Sequence, residues 1–324
     1  MRLRTPGFRI GAASGLMFSP SGRLLGQVGR QVVAYDVPGR KAVVRSQWHY
    51  PHPAAVAFGR ADEWMSVRST TGALVVLDLP SGQPISRVPP TTDTADDSPL
   101  LGHDEHLVEA CTSGTLRIRQ VSDLHVAYLE QHPADMLGPV AVSATRDTWA
   151  IAFNRKQLDA PQQPPCRIEV RRWPLSGGTR QTLGGRFGHI AALALTPEGH
   201  RLAILEEHRG QGLPPAFVIS LMSTATSAVE LRATHTSWRG HRGFAWSPSG
   251  EFLVVGTDHG HALLDGSTLT TVGHLGGEYS SDAAFSPNGQ LLALGYWGHG
   301  LVLPVADVKR WFSDEITAPD VRAV

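Results

Sequence analysis

Phe18-Ser19-Pro20-Ser21-Gly22-Arg23-Leu24-Leu25 recurs as Trp246-Ser247-Pro248-Ser249-Gly250-Glu251-Phe252-Leu253 and as Phe285-Ser286-Pro287-Asn288-Gly289-Gln290-Leu291-Leu292. A fourth copy reads Leu195-Thr196-Pro197-Glu198-Gly199-His200-Arg201-Leu202. Each places Pro and Gly between two apolar runs, the chemistry of a tight turn joining two strands. Weaker versions stand at Phe58 (FGRADEWMSV), Leu101 (LGHDEHLVEA) and Val142 (VSATRDTWAI). The 34 Gly and 23 Pro of this 324-residue chain are therefore not pooled in a linker but punctuate seven units.

Anchors at 18, 58, 101, 142, 195, 246 and 285 are 40, 43, 41, 53, 51 and 39 residues apart. A four-stranded propeller blade takes roughly 40–45 residues. The two long intervals hold polar, Pro-rich insertions, residues 157–166 (QLDAPQQPPC) and 208–215 (HRGQGLPP). Unit two divides into four strand-like runs, 54–58, 63–69, 73–79 and 84–88, separated by turn residues such as GRAD and PSG. Wholly apolar runs such as ALVVLDL suit a strand packed between neighbouring blades, whereas Leu116 and Ile118 alternating with Arg117 and Arg119 suit a half-wet one. Helical character is confined to residues 307–312. The expected fold is all-β, a seven-bladed β-propeller of four-stranded antiparallel blades. It fills residues 1–307 as one domain, with 308–324 as a C-terminal tail that either docks through Trp311 and Phe312 or serves as a tether.

Gly-His pairs occur at Gly188-His189, Gly240-His241 and Gly273-His274, each ahead of such a turn. Tyr35-Asp36, Leu77-Asp78 and Leu264-Asp265 stand near the ends of expected third strands, and Trp173-Pro174 keeps a Trp without the Asp. In these features the units resemble divergent WD40 repeats, over residues 2–306. The resemblance implies a structural hydrogen-bond network around the His of each Gly-His pair, and no particular activity, because the fold hosts many functions.

Unit seven supplies three strands, at 281–286, 290–296 and 300–305, and then the pattern stops. Residues 2–10 have no partner in their own unit. An unpaired sheet edge is a liability, so the N-terminal strand is expected to complete the last blade and close the ring.

The chain carries 29 Lys+Arg against 29 Asp+Glu. A zero balance lacks the electrostatic footprint of a nucleic-acid or anionic-membrane binder. No run of 18 apolar residues exists, the N-terminus lacks a signal-peptide pattern, and Cys111 and Cys166 form no CxxC pair. These readings point to a cytoplasmic protein, monomeric by itself, with neither nucleic acid nor membrane as partner.

Antiparallel order within a blade puts the links between blades and the turns between second and third strands on one face. That face collects both insertions, the links around residues 46–52, 91–98, 131–139, 236–241 and 276–279, and the turn at 297–299. It carries Trp48, Tyr50, Trp238, Arg239, Tyr279 and Trp297, residue types enriched at binding hot spots. The opposite face collects short polar turns. The function expected is a non-catalytic scaffold that binds a protein or peptide on the loop-rich face.

GxSxG, HExxH and P-loop motifs are absent, and the glycines read as turn formers. His49 and His52, His103 and His106, and His259 and His261 are close in sequence, but none of these pairs brings the three or four convergent ligands of a zinc site. No metal, no cofactor and no catalytic residue is expected. The competing class is a propeller hydrolase or lyase, lactonase-like, acting at the channel mouth through Glu278, Asp282, His241 or His189.

Overall fold

The computed structural model describes residues 7–313 except 14, 30, 47–52, 60, 70, 91–99, 144, 146, 156–165, 175, 209–215, 236–242 and 278. Its 28 strands form seven four-stranded antiparallel sheets. Blades one to six occupy 15–46, 53–88, 100–131, 135–187, 189–235 and 244–276. In blade two the strands are Pro53–Phe58, Trp64–Ser69, Leu74–Asp78 and Pro84–Val88, within a residue or so of the runs read from sequence.

The repeated phrase builds one turn each time. Ser19, Ser247 and Ser286 each accept, on the side-chain oxygen, the backbone N–H five residues on, at 3.1, 2.9 and 2.9 Å, and Thr196 does the same at 3.2 Å. The Gly closes the turn in the left-handed region, at φ 73° for Gly22 and 70° for Gly250. The degenerate unit two puts Asp there, Asp62 at 60°, a residue type that tolerates this conformation. At the other end of the third strand, Asp36, Asp78 and Asp265 accept N–H groups of Gly39, Ser81 and Ser267 at 3.0, 2.8 and 2.8 Å. The Asp of the repeat therefore caps the turn into the fourth strand.

Blade seven consists of Ser280–Phe285, Leu291–Tyr296 and Gly300–Pro304, completed by Phe8–Ile10. Phe8 pairs with Val302, Arg9 with Leu301 and Ile10 with Gly300, antiparallel. The ring is closed by the N-terminal strand. First strands surround the central cavity, second strands are buried on both faces, and fourth strands such as Pro84–Val88 and Val229–His235 face solvent, whereas the closing strand Phe8–Ile10 is buried. Core clusters accordingly lie between consecutive blades, as the joint of Val28, Val32 and Ala34 with Val56, Phe58, Met65 and Val67 illustrates.

After the last strand, a 3-10 turn (Val305–Asp307) leads into the helix Val308–Ser313. Val308, Trp311 and Phe312 are buried in one cluster with Phe252, Leu275 and Leu301. Gly273 on the outer strand of blade six admits this helix, since a Cβ there would lie 2.2 Å from the Phe312 carbonyl oxygen. Residues 308–313, the described part of the tail, thus dock on the ring through Trp311 and Phe312.

Candidate functional site

The loop-bearing face is described best at blades six and seven. Tyr279 immediately precedes the first strand of blade seven, and Trp297 immediately follows its second strand. These positions are 18 residues apart by number, yet the Trp297 N–H reaches the Tyr279 carbonyl at 3.3 Å. Their rings lie 5.9 Å apart, tilted by 55°. Tyr279 is 40% exposed and Trp297 is 72% exposed, so neither ring plugs a joint between blades. The strand-order argument thus places both of these residues on one surface. Trp48, Tyr50, Trp238 and Arg239 lie outside the described residues, as do Glu278 and His241.

A second aromatic layer lies beneath. Tyr296 is buried and stacks on His299 at 4.8 Å, and His261 meets the Tyr296 ring edge-on at 4.9 Å. Among the described residues the Tyr296 hydroxyl has no hydrogen-bond partner, and burial pushes its ionisation well above the ordinary phenol range. His261 Nε2 donates to the Asp282 carbonyl at 3.1 Å, which fixes the tautomer and leaves Nδ1 as the bare acceptor.

Burial pushes the His261 pKa down to about 4, outweighing the hydrogen bond to Asp282. The unfolded chain takes up that proton near pH 6.5, so the ring contributes nothing to pH dependence above that value and disfavours folding as pH falls from about 6.5 to 4. His261→Gln keeps a donor for Asp282 and removes the titration. We expect the stability lost by the wild type between pH 7.5 and 5 to shrink in this variant by about 2 kcal/mol. Denaturant melts at the two pH values measure it, and equal losses in both proteins would refute the assignment.

Asp282 connects this layer to the central cavity. Its carboxylate accepts the Leu16 N–H of blade one at 2.7 Å and its neighbour Ala283 N–H at 2.8 Å. It therefore bridges the seam where the ring closes, a structural use of the channel-mouth candidate that, among the described residues, lines the cavity. The cavity holds about 480 Å³ and is otherwise lined by Leu16, Met17, Phe18, Val140, Leu193, Phe244 and similar side chains. Toward the opposite face it adjoins a pocket of about 240 Å³ bordered by Pro20, Pro197, Pro248 and Pro287 with Phe18, Trp246 and Phe285. The turns of that face, read from sequence as merely short and polar, therefore direct an apolar rim inward, a consequence of geometry that residue types alone did not reveal. His189 opens the first strand of blade five and is half-buried. Among the described residues, no three His, Cys, Asp or Glu side chains converge in a way that could hold a metal ion, and no helix is long and apolar enough to cross a membrane.

No family model matches the chain and no curated protein matches it. Solved structures do. The β-propeller domain of Myceliophteria thermophila Cps50 (Swd1) is 14% identical with a TM-score of 0.71, covering 92% of this chain and 99% of the other. Kuenenia stuttgartiensis hydrazine synthase is likewise 14% identical with a TM-score of 0.70, covering 94% of this chain and 98% of the other. At such identity the likeness extends to the fold, and both the repeat geometry and these neighbours identify the chain as a seven-bladed β-propeller.

Proposed function

We propose that this propeller is a WD40-type, non-catalytic interaction scaffold of the cytoplasm, binding a protein or peptide partner on the face that carries the blade links. The observation that carries the reading is the Tyr279–Trp297 pair, an indole left 72% exposed beside a half-exposed phenol on a rigid strand-end platform. Rings of this kind bury large area on binding at little cost in side-chain entropy. The Ser/Thr-Pro-x-Gly turns and the turn-capping Asp36, Asp78 and Asp265 support the WD40 assignment. The commitment of both Asp282 carboxylate oxygens to backbone N–H groups favours the scaffold over the hydrolase or lyase reading.

The test is affinity purification from the native lysate followed by quantitative mass spectrometry. Tyr279→Ala/Trp297→Ala is expected to lower capture of specific partners at least tenfold while leaving the thermal midpoint within a degree or two, since neither ring is buried. Val229→Ser, on the exposed fourth strand of blade five, serves as the surface control. Undiminished capture by the double variant would remove this surface as the binding site.

A further inference from the structure

Four of the joints between blades share an apolar pairing of second-strand side chains, which the joint between blades two and three replaces with a pair of charges. In those four joints the fifth residue of one second strand shares a cluster with the fourth residue of the second strand in the next blade. Val28 and Val67 fill these positions between blades one and two, Ala110 and Ile151 between three and four, Ala152 and Ile204 between four and five, and Leu205 and Val255 between five and six. Between blades two and three the same positions hold Arg68 and Glu109.

Arg68 is 0% exposed and Glu109 2% exposed. Arg68 Nη1 stands 3.7 Å from Glu109 Oε1, close enough for charge attraction but too far for a hydrogen bond. Among the described residues, Arg68 Nε, Nη1 and Nη2 all lack a hydrogen-bond partner. Ser66, two residues earlier and so on the same side of the strand, is also 0% exposed with an unpartnered Oγ. Glu109 is meanwhile engaged elsewhere, its Oε2 accepting Arg119 Nε at 2.6 Å, and Arg117 stands opposite it in the ladder. Among the described residues Arg68 and Arg119 thus share a single carboxylate, which leaves one of the two guanidinium charges unbalanced there. A guanidinium cannot shed its proton, so burial cannot neutralise it as it would a lysine or histidine. Its donors call for an acceptor, and its charge calls for a negative one.

We propose that blades two and three close around a small inorganic anion, bound by the Arg68 guanidinium and the Ser66 hydroxyl. Full burial limits the ligand to halide-sized ions, taken up as the joint forms. The site is independent of the binding face proposed above.

Bromide is the probe. Crystals of the full chain grown in sodium bromide should show an anomalous peak within hydrogen-bond distance of both Arg68 and Ser66. In solution, the thermal midpoint should be several degrees higher in chloride than in gluconate at equal ionic strength, because gluconate is too large to enter. Arg68→Met should abolish that difference. Ser66→Ala, which retains the fold by its small size, should raise the chloride concentration for half-maximal effect severalfold. Water density without anomalous signal at Arg68, or the same chloride response in Ser66→Ala as in the wild type, overturns the proposal.

Discussion

Removal of residues 1–10 lowers the thermal midpoint by roughly 10 °C, the largest loss expected from any short deletion in this chain. Phe8 and Ile10 are each 5% exposed and lie in one cluster with Leu16, Phe18, Leu25 and Val302, which belong to blades one and seven. Loss of two such side chains forfeits about 5–10 kcal/mol. The ordering entropy recovered from three strand residues is roughly 3–6 kcal/mol. The deletion also uncovers Leu16, Phe18 and Val302 and exposes the edge of Gly300–Pro304, so a net loss of about 5 kcal/mol is expected once their apolar area is wetted. In a ring whose blades bury their faces only against neighbours, that loss falls on the seam and is shared by every blade. A milder version is available at the same place. Gly300 faces Ile10, and a Cβ on it would lie 2.5 Å from Ile10 Cγ1, so Gly300→Ala should displace the closing strand without removing it. Calorimetry on both variants measures the effect, and an unchanged midpoint on deletion would mean that the seam is held by something other than this strand.

The seam was legible in the sequence for the same reason that the fold was. Turn chemistry is local: a Pro, a left-handed Gly and a hydroxyl accepting an N–H five residues on are all written within eight positions, and they repeat. Counting strands then exposes the missing one. A degenerate unit betrays itself once Asp62 is recognised as the occupant of the glycine position. The pairing of Tyr279 with Trp297 was also legible, because strand parity alone assigns both to one face. The layer beneath was not. His261, Tyr296 and His299 come from a third strand, the end of a second strand and a turn in two blades, and only the packing of those blades brings the rings together. Buried charge is hidden for a related reason. Arg68 and Arg171 sit at alternating strand positions that could as well face solvent, and each was open to reading as an ordinary surface arginine until the neighbouring blade was in place.

Arg171→Met should cost about 3 kcal/mol at neutral pH, and the cost should shrink in acid. Arg171 and Glu169, on the third strand of blade four, are 2% and 1% exposed. Arg171 binds Glu169 at 2.7 Å and reaches across to the fourth strand of blade three, where it grips Glu130 with Nη1 at 2.6 Å and Nη2 at 3.1 Å. Arg180 bonds the same two carboxylates at 3.0 and 2.6 Å. Arg171 and Arg180 thus bridge two carboxylates across a blade boundary, with Arg167 Nε a further 3.5 Å from Glu169 and His132 Nε2 2.8 Å from Glu130. Met fills the volume but leaves half-exposed Arg180 as the one guanidinium that bonds both acids, and removal of one member of a buried pair is far costlier than replacement of the whole. The pH dependence separates this from simple loss of packing. Burial raises the Glu130 pKa, but the Arg171 hydrogen bond and charge outweigh it and hold the carboxyl at about 2. A carboxylate whose folded pKa is depressed contributes stability that is present above its unfolded value, near 4.5, and is lost as pH falls toward 2. Without Arg171 that contribution largely disappears, so wild type and variant should differ most near pH 7 and converge below pH 3. Denaturant melts from pH 2.5 to 7 measure the gap. A constant gap across that range would assign the loss to packing alone, and one below about 1 kcal/mol at pH 7 would place Arg171 among the many surface ion pairs that contribute little.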